Sequence, residues 1–123
     1  MRVVYDAGAL IAADRGDRGF LSLHDELMRL RVVPVVPAPV VAQVWRRPDR
    51  QVSLVRLLRG CRIVDFDRGA AERTGMHAGA VRVSDVVDCC VAEIALRLGA
   101  VVMTSDPKDI RAAGVPVRLI ATV

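Results

Sequence analysis

At 123 residues and 13.3 kDa the chain has room for one compact domain spanning residues 1–123, and a second domain is not expected. Hydrophobic residues make up 53% and the mean hydropathy is +0.35, too apolar for disorder, yet only four residues are aromatic, so aliphatic side chains must build the core. The formal charge of +4, with a pI of about 9.6, suits a polyanionic partner without requiring one.

Residues 2–5 form a short β-branched run that ends at Asp6 and leads into AGALIAA, which reads as a buried strand entering a helix. A second helix near residues 20–30 places Leu23, Leu27 and Leu30 on one face. Residues 31–37 return to strand character, and Pro39 opens the helix VVAQVWRR, which Pro48 stops. An amphipathic helix over residues 51–59, with Val52, Val55 and Leu58 toward the core, closes at Gly60 and precedes a third apolar strand over 62–66. Helices are then predicted for residues 69–79 and 84–98, the latter closed by Gly99. A strand at 100–104, a short helix from Asp106-Pro107 to Gly114 and a last strand at 117–121 complete the chain. Apolar strands alternating with helices predict an α/β fold, a three-layer sandwich around a central parallel sheet of about five strands.

Cys61, Cys89 and Cys90 are odd in number and lack metal or C-x-x-C spacing, which fits reduced thiols in an intracellular protein. No apolar run approaches the ~20 residues of a membrane span, and MRVVYD reads as a strand, so a cytoplasmic location is expected.

Ligands of parallel sheets bind beyond the carboxyl ends of the strands, where Asp6 and Asp106 both fall. Each has an alternative reading as a helix N-cap, and Asp106-Pro107-Lys108-Asp109 makes a good helix start. Thr104 and Ser105 add hydroxyls beside Asp106, either for turn amides or to hold a carboxylate. Asp88 lies on a helix that is apolar nearly all round apart from a Glu93–Arg97 pair, and helical geometry sets the face it shares with Asp85 about 130° from that solvent stripe. A carboxylate turned away from water needs a cation, donors or a metal. Asp85 shares its face but also suits the helix start. Carboxylates converging from several elements repel one another unless a hard cation is present, and oxygen-only ligands suit Mg²⁺ or Mn²⁺. Such an ion can activate water for attack on a phosphodiester. His24 and His77 share no spacing with a thiol or acid and read as surface or packing residues.

VVYDAGALIAA, APVVAQVWRR, SDVVDCCVAEIA and VVMTSDPKDI, in that order, resemble the PIN domain, and within it the VapC-type toxins of bacterial toxin–antitoxin pairs. The resemblance implies a dimeric, metal-dependent ribonuclease neutralised by a small VapB-like antitoxin. It matches Asp6, Asp88 and Asp106 to the family's first, third and fourth acids, Asp109 to an assisting acid, and Thr104 to a supporting hydroxyl. The family's second acid is usually Glu, and this chain has Gln43 there, which removes one negative charge from the implied site. Two outcomes follow: a nuclease weakened by Gln43, or a folded domain that acts by binding RNA or antitoxin. A receiver-like or phosphatase-like domain, with Asp6 as nucleophile, is a third reading, but no lysine matches it after a later strand.

Between Arg46 and Arg62 six arginines face Asp49 alone, a local net of +5, and the remainder of the chain is nearly balanced. Arg46, Arg47 and Arg50 are the candidate RNA contacts, because guanidinium groups bind phosphate through paired donors. A solvated helix face is the competing explanation, and Trp45 is either a packing residue or a stacking platform.

Overall fold

In the computed structural model, which describes residues 1–123, the strands are β1 (Val3–Tyr5), β2 (Val35–Pro37), β3 (Arg62–Val64), β4 (Val101–Thr104) and β5 (Ile120–Thr122). They form one sheet in the order β3-β2-β1-β4-β5, with every neighbouring pair parallel. β1 holds the centre because Val3, Val4 and Tyr5 have no polar face to turn outward, and all three are fully buried. β3 differs from expectation. It lies at an edge, stops at Val64, and leaves Arg62 and Ile63 exposed, so it is not apolar on both faces.

Seven helices cover the sheet: α1 (Ala7–Asp14), α2 (Arg18–Arg29), α3 (Ala38–Val44), α4 (Val52–Arg59), α5 (Arg68–Val81), α6 (Val86–Leu98) and α7 (Pro107–Ala112). α1 packs with α2, α3 and α4, while α6 packs with α5 and α7, which gives the three-layer α/β/α sandwich. A core of 25 buried residues joins the layers. No helix is long and apolar enough to cross a membrane.

The buried stripe of α2 is Phe20, His24 and Leu27, whereas Leu23 and Leu30 are exposed. Both sets have helical spacing, and the imidazole disguised the true inner face. His24 is tolerated inside because the Tyr5 hydroxyl lies 2.8 Å from its Nδ1, and burial holds its pKa below the usual imidazole range. Tyr5 also packs edge-on against Phe20, with ring centroids 5.2 Å apart.

Strand β2 begins four residues later than expected because α2 needs residues 31 and 32 to finish. The Arg31 amide donates to the Met28 carbonyl and the Val32 amide to that of Leu27, with Arg31 left-handed at φ 59°. The same pairing closes α6, where Gly99 takes the left-handed position as expected.

α3 also ends early, at Val44, and Trp45 is extended. Gln51 explains the exit. Its Oε1 accepts from the Arg46 and Arg47 amides, both at 2.9 Å, and its Nε2 donates to the Val44 carbonyl at 2.9 Å. A 3-10 turn at Pro48–Arg50 follows, and α4 buries Leu54 and Leu57; of the expected inner face Leu58 packs half-buried against the core and Val55 is half-buried, while Val52 is exposed. Another 3-10 turn, Val117–Leu119, takes the first part of the expected last strand.

Glu93 pairs with Arg97 as expected, with Arg97 Nε 3.0 Å from Oε1, and Arg73 of α5 joins from 3.4 Å. That second arginine leaves Glu93 largely covered. Cys89 and Cys90 are buried and Cys61 half-buried, all free thiols, and burial pushes the Cys61 thiol up to about 12. His77 packs, as expected, against the end of α7, its Nε2 2.6 Å from the Ala113 carbonyl.

Candidate active site

Asp6 follows β1 and Thr104 ends β4, so pairing of these adjacent strands sets the two side by side at the carboxyl edge of the sheet. The Asp6 amide donates to the Met103 carbonyl at 3.0 Å, continuing the ladder one step beyond β1. Asp6 occupies the N-cap position of α1, but its carboxylate makes no capping bond. Instead Oδ2 accepts from the Thr104 hydroxyl at 3.0 Å, and that hydroxyl oxygen accepts from the Asp106 amide at 2.9 Å. Because Thr104 Oγ1 is fully buried and already accepts one bond, its single proton is committed to Asp6.

Gly8 makes this juxtaposition possible. A Cβ at position 8 would lie 2.3 Å from Ser105 Oγ and 2.4 Å from its backbone nitrogen. What approaches the small residues after Asp6 is therefore the chain's own loop, which carries Asp106.

Asp85 and Asp106 do act as caps: Asp85 accepts from the Asp88 amide at 3.0 Å and Asp106 from the Asp109 amide at a long 3.5 Å. Capping and membership of the cluster are thus compatible. Burial raises the Asp6 pKa, opposed by the Ala7 amide and Thr104, with Asp85 and Asp106 raising it further. Asp88 is half-buried, and burial first, then the charges of Asp85, Asp6, Asp109 and Asp106, push its carboxyl up to about 6. Asp109 is raised chiefly by Asp106. Five carboxylates from three segments therefore sense one another. Asp85 was read mainly as a cap in the sequence, and its three-residue spacing from Asp88 is the signal that could have placed it in the cluster.

Oxygen-only donors that repel one another fit a hard divalent cation. No three His, Cys, Asp or Glu side chains stand close enough to grip one ion directly, so waters or small side-chain shifts must complete any coordination. Gln43 lies exposed in the last turn of α3 and makes no side-chain hydrogen bond. Arg46 is turned back onto the Ala42 and Trp45 carbonyls, Arg47 pairs with Asp49 at 3.3 Å, and Arg50 is exposed. The arginine segment does not stay together. Arg62 begins β3 opposite Val35 at the amino edge, where it lines a cavity with Arg2 and Arg31, away from the acids.

Comparison with curated protein sequences gives no match. Among solved structures, a chain of VapBC2 from Rickettsia felis, bound to a DNA fragment from its promoter, superposes with a TM-score of 0.76 at 14% identity, covering 100% of this chain and 99% of that one. A chain of FitAB bound to the IR36 DNA fragment gives a TM-score of 0.65 at 18% identity, covering 98% and 94%. At such identities the likeness is one of fold. The PIN domain family model matches residues 3–115, from the start of β1 past the end of α7, and so takes in every acid of the cluster. The chain belongs to the PIN domain family, whose members are in general nucleases.

Proposed function

We propose that this chain is a metal-dependent endoribonuclease, the toxin of a type II toxin–antitoxin pair, which hydrolyses RNA phosphodiester bonds in the cytoplasm. The observation that carries this reading is the convergence of Asp6, Asp88, Asp106 and Asp109 at the carboxyl edge of the sheet, where burial and then the neighbouring acids raise the Asp88 pKa. Asp6, Asp88, Asp106 and Asp109 would hold Mg²⁺ or Mn²⁺, which supplies a water of lowered pKa and neutralises charge on the leaving oxygen when bound. Thr104 fixes the orientation of Asp6. Gln43 offers an amide oxygen from α3, and Arg50, with Arg46 and Arg47 once they leave the Ala42 and Trp45 carbonyls and Asp49, offers cationic contacts to the RNA backbone. The likeness in fold to chains of VapBC2 and FitAB supports a VapB-like antitoxin as partner. The active species is a homodimer.

Cleavage of a mixed RNA pool with Mg²⁺ or Mn²⁺ tests the assignment, with the parent compared against Asp6→Asn and Asp88→Asn. Loss of cleavage in both variants is expected, and equal cleavage by all three proteins sinks it. The missing charge at Gln43 favours a second reading, a weakened domain acting through RNA or antitoxin binding. Gln43→Glu separates the two: it raises metal-dependent cleavage if position 43 belongs to the site.

A further inference from the structure

The acid cluster poses an electrostatic problem for any nucleic acid. Five carboxylates repel a polyanion, so phosphates beside the reacting one need cations close by. Arg46 is occupied by carbonyls and Arg47 by Asp49. On the other side of the acids, α7 carries Lys108 and Arg111 at a spacing of three, which places them on one helical face. Both are exposed, and neither makes an ion pair or a side-chain hydrogen bond. They line a cavity of about 310 Å³ with Pro107, Val117, Ile120 and Thr122. Thr122 pairs in register with Thr104, so the end of the cavity formed by Thr122, Pro107 and Lys108 lies at the carboxyl edge, level with the acids, and the cavity runs from there along β5 to Val117. Strands lie about 4.8 Å apart, so β5 is roughly 10 Å from β1. That distance is too far for the phosphate at Asp6 and suits a neighbouring one.

We infer that Lys108 and Arg111 form a phosphate-binding subsite that holds the RNA strand flanking the cleaved bond on the β5 side, with the Thr122 hydroxyl as an added donor. The inference rests on the nuclease reading for the identity of the strand. The apolar wall of Pro107, Val117 and Ile120 faces the sugar, and the two cations face the backbone. These are positioning residues, since they lie apart from the reacting atoms.

Fluorescence anisotropy with a labelled 12-nucleotide single-stranded RNA, in chelator so that no cleavage occurs, is the test. Each single-strand phosphate contact steepens the salt dependence by about 0.7, equivalent to roughly fivefold in affinity at 0.1 M salt. Lys108→Ala and Arg111→Ala should each weaken binding about fivefold, and the double variant should flatten the log–log salt slope by about 1.4. Lys108→Arg should retain affinity, and Arg62→Ala, at the amino edge, should change neither quantity. With metal present, the double variant should raise KM and leave kcat near the parent value. Unchanged affinity, slope and KM in a double variant that melts like the parent overturn the subsite while the nuclease reading stands. A parent that binds RNA with the expected dependence on Lys108 and Arg111 but never cleaves it keeps the subsite and defeats the nuclease reading. A parent that binds no single-stranded RNA overturns the subsite.

Discussion

Thr104 commits its only hydroxyl proton to Asp6 across two adjacent strands, at 3.0 Å and with no access to water. Its oxygen simultaneously receives the Asp106 amide at 2.9 Å, so one side chain fixes two acids of the cluster. Thr104→Val keeps the shape and deletes both bonds, which should cost ~1–3 kcal/mol in urea unfolding and raise the Asp6 pKa further. Thr104→Ser should retain most of both. Carboxyl NMR titration of Asp6 reads the second effect, and an unmoved Asp6 in the valine variant contradicts the assigned bond.

Burial first, and then the repulsion of four other acids, raise the folded pKa of Asp88 to about 6, above the usual carboxylate range. The folded state therefore holds this proton more tightly than the unfolded chain. Below the unfolded pKa this group favours the fold relative to neutral pH, and that advantage is lost as pH rises from about 4 to about 6. Asp88→Asn should accordingly raise the melting temperature of the metal-free protein at pH 7 by a few degrees and flatten its dependence between those pH values. Water around the half-exposed carboxylate moderates the effect. Thermal melts at pH 4.5 and 7 check it, and a variant less stable than the parent at pH 7 counts against the repulsion.

Gly8 carries no side chain because Ser105 occupies the space. The obstacle includes the Ser105 backbone nitrogen, which cannot rotate away as a flexible side chain could. Gly8→Ala should destabilise by ~1–3 kcal/mol and shift the amide resonances of Ser105 and Asp106. Chemical denaturation together with an NMR fingerprint distinguishes local displacement from global unfolding.

Gln51 satisfies two amides and one carbonyl at the end of α3, and it is buried. Gln51→Ala leaves all three without that partner, for an expected loss of ~1–3 kcal/mol. Gln51→Glu keeps both acceptor bonds and loses the donation to Val44, so it should fall between the parent and alanine. Urea midpoints order the three proteins, and an alanine variant as stable as the parent contradicts this role.

The layered parallel fold was legible because its signals are local: valine-rich runs, the Gly99 stop, and Pro107 opening α7. The positions of Asp6 and Asp106 at the sheet edge, and of Asp88 away from the solvent stripe, followed from the same patterns. Other features depended on where polar side chains find partners. His24 enters the core because Tyr5 arrives from a strand 19 residues away. Gln51 resembles an ordinary helix-start residue until the backbone of residues 44–47 folds around it. The arginine segment looked continuous in sequence, but β3 starts at the amino edge and carries Arg62 there, so linear charge did not translate into one surface.

Joining Asp6 to Thr104 spans 98 positions of sequence and gives the protein a temporal property. β1 leaves the ribosome well before its neighbour β4, and loop closure over that separation is slow compared with local helix formation. A growing chain can assemble α1, α2 and β2 against β1 while the cluster still lacks Asp106 and the hydroxyl that orients Asp6. The acids thus come together only once residues 101–106 have emerged, which delays a complete site until long after Asp6 has left the ribosome.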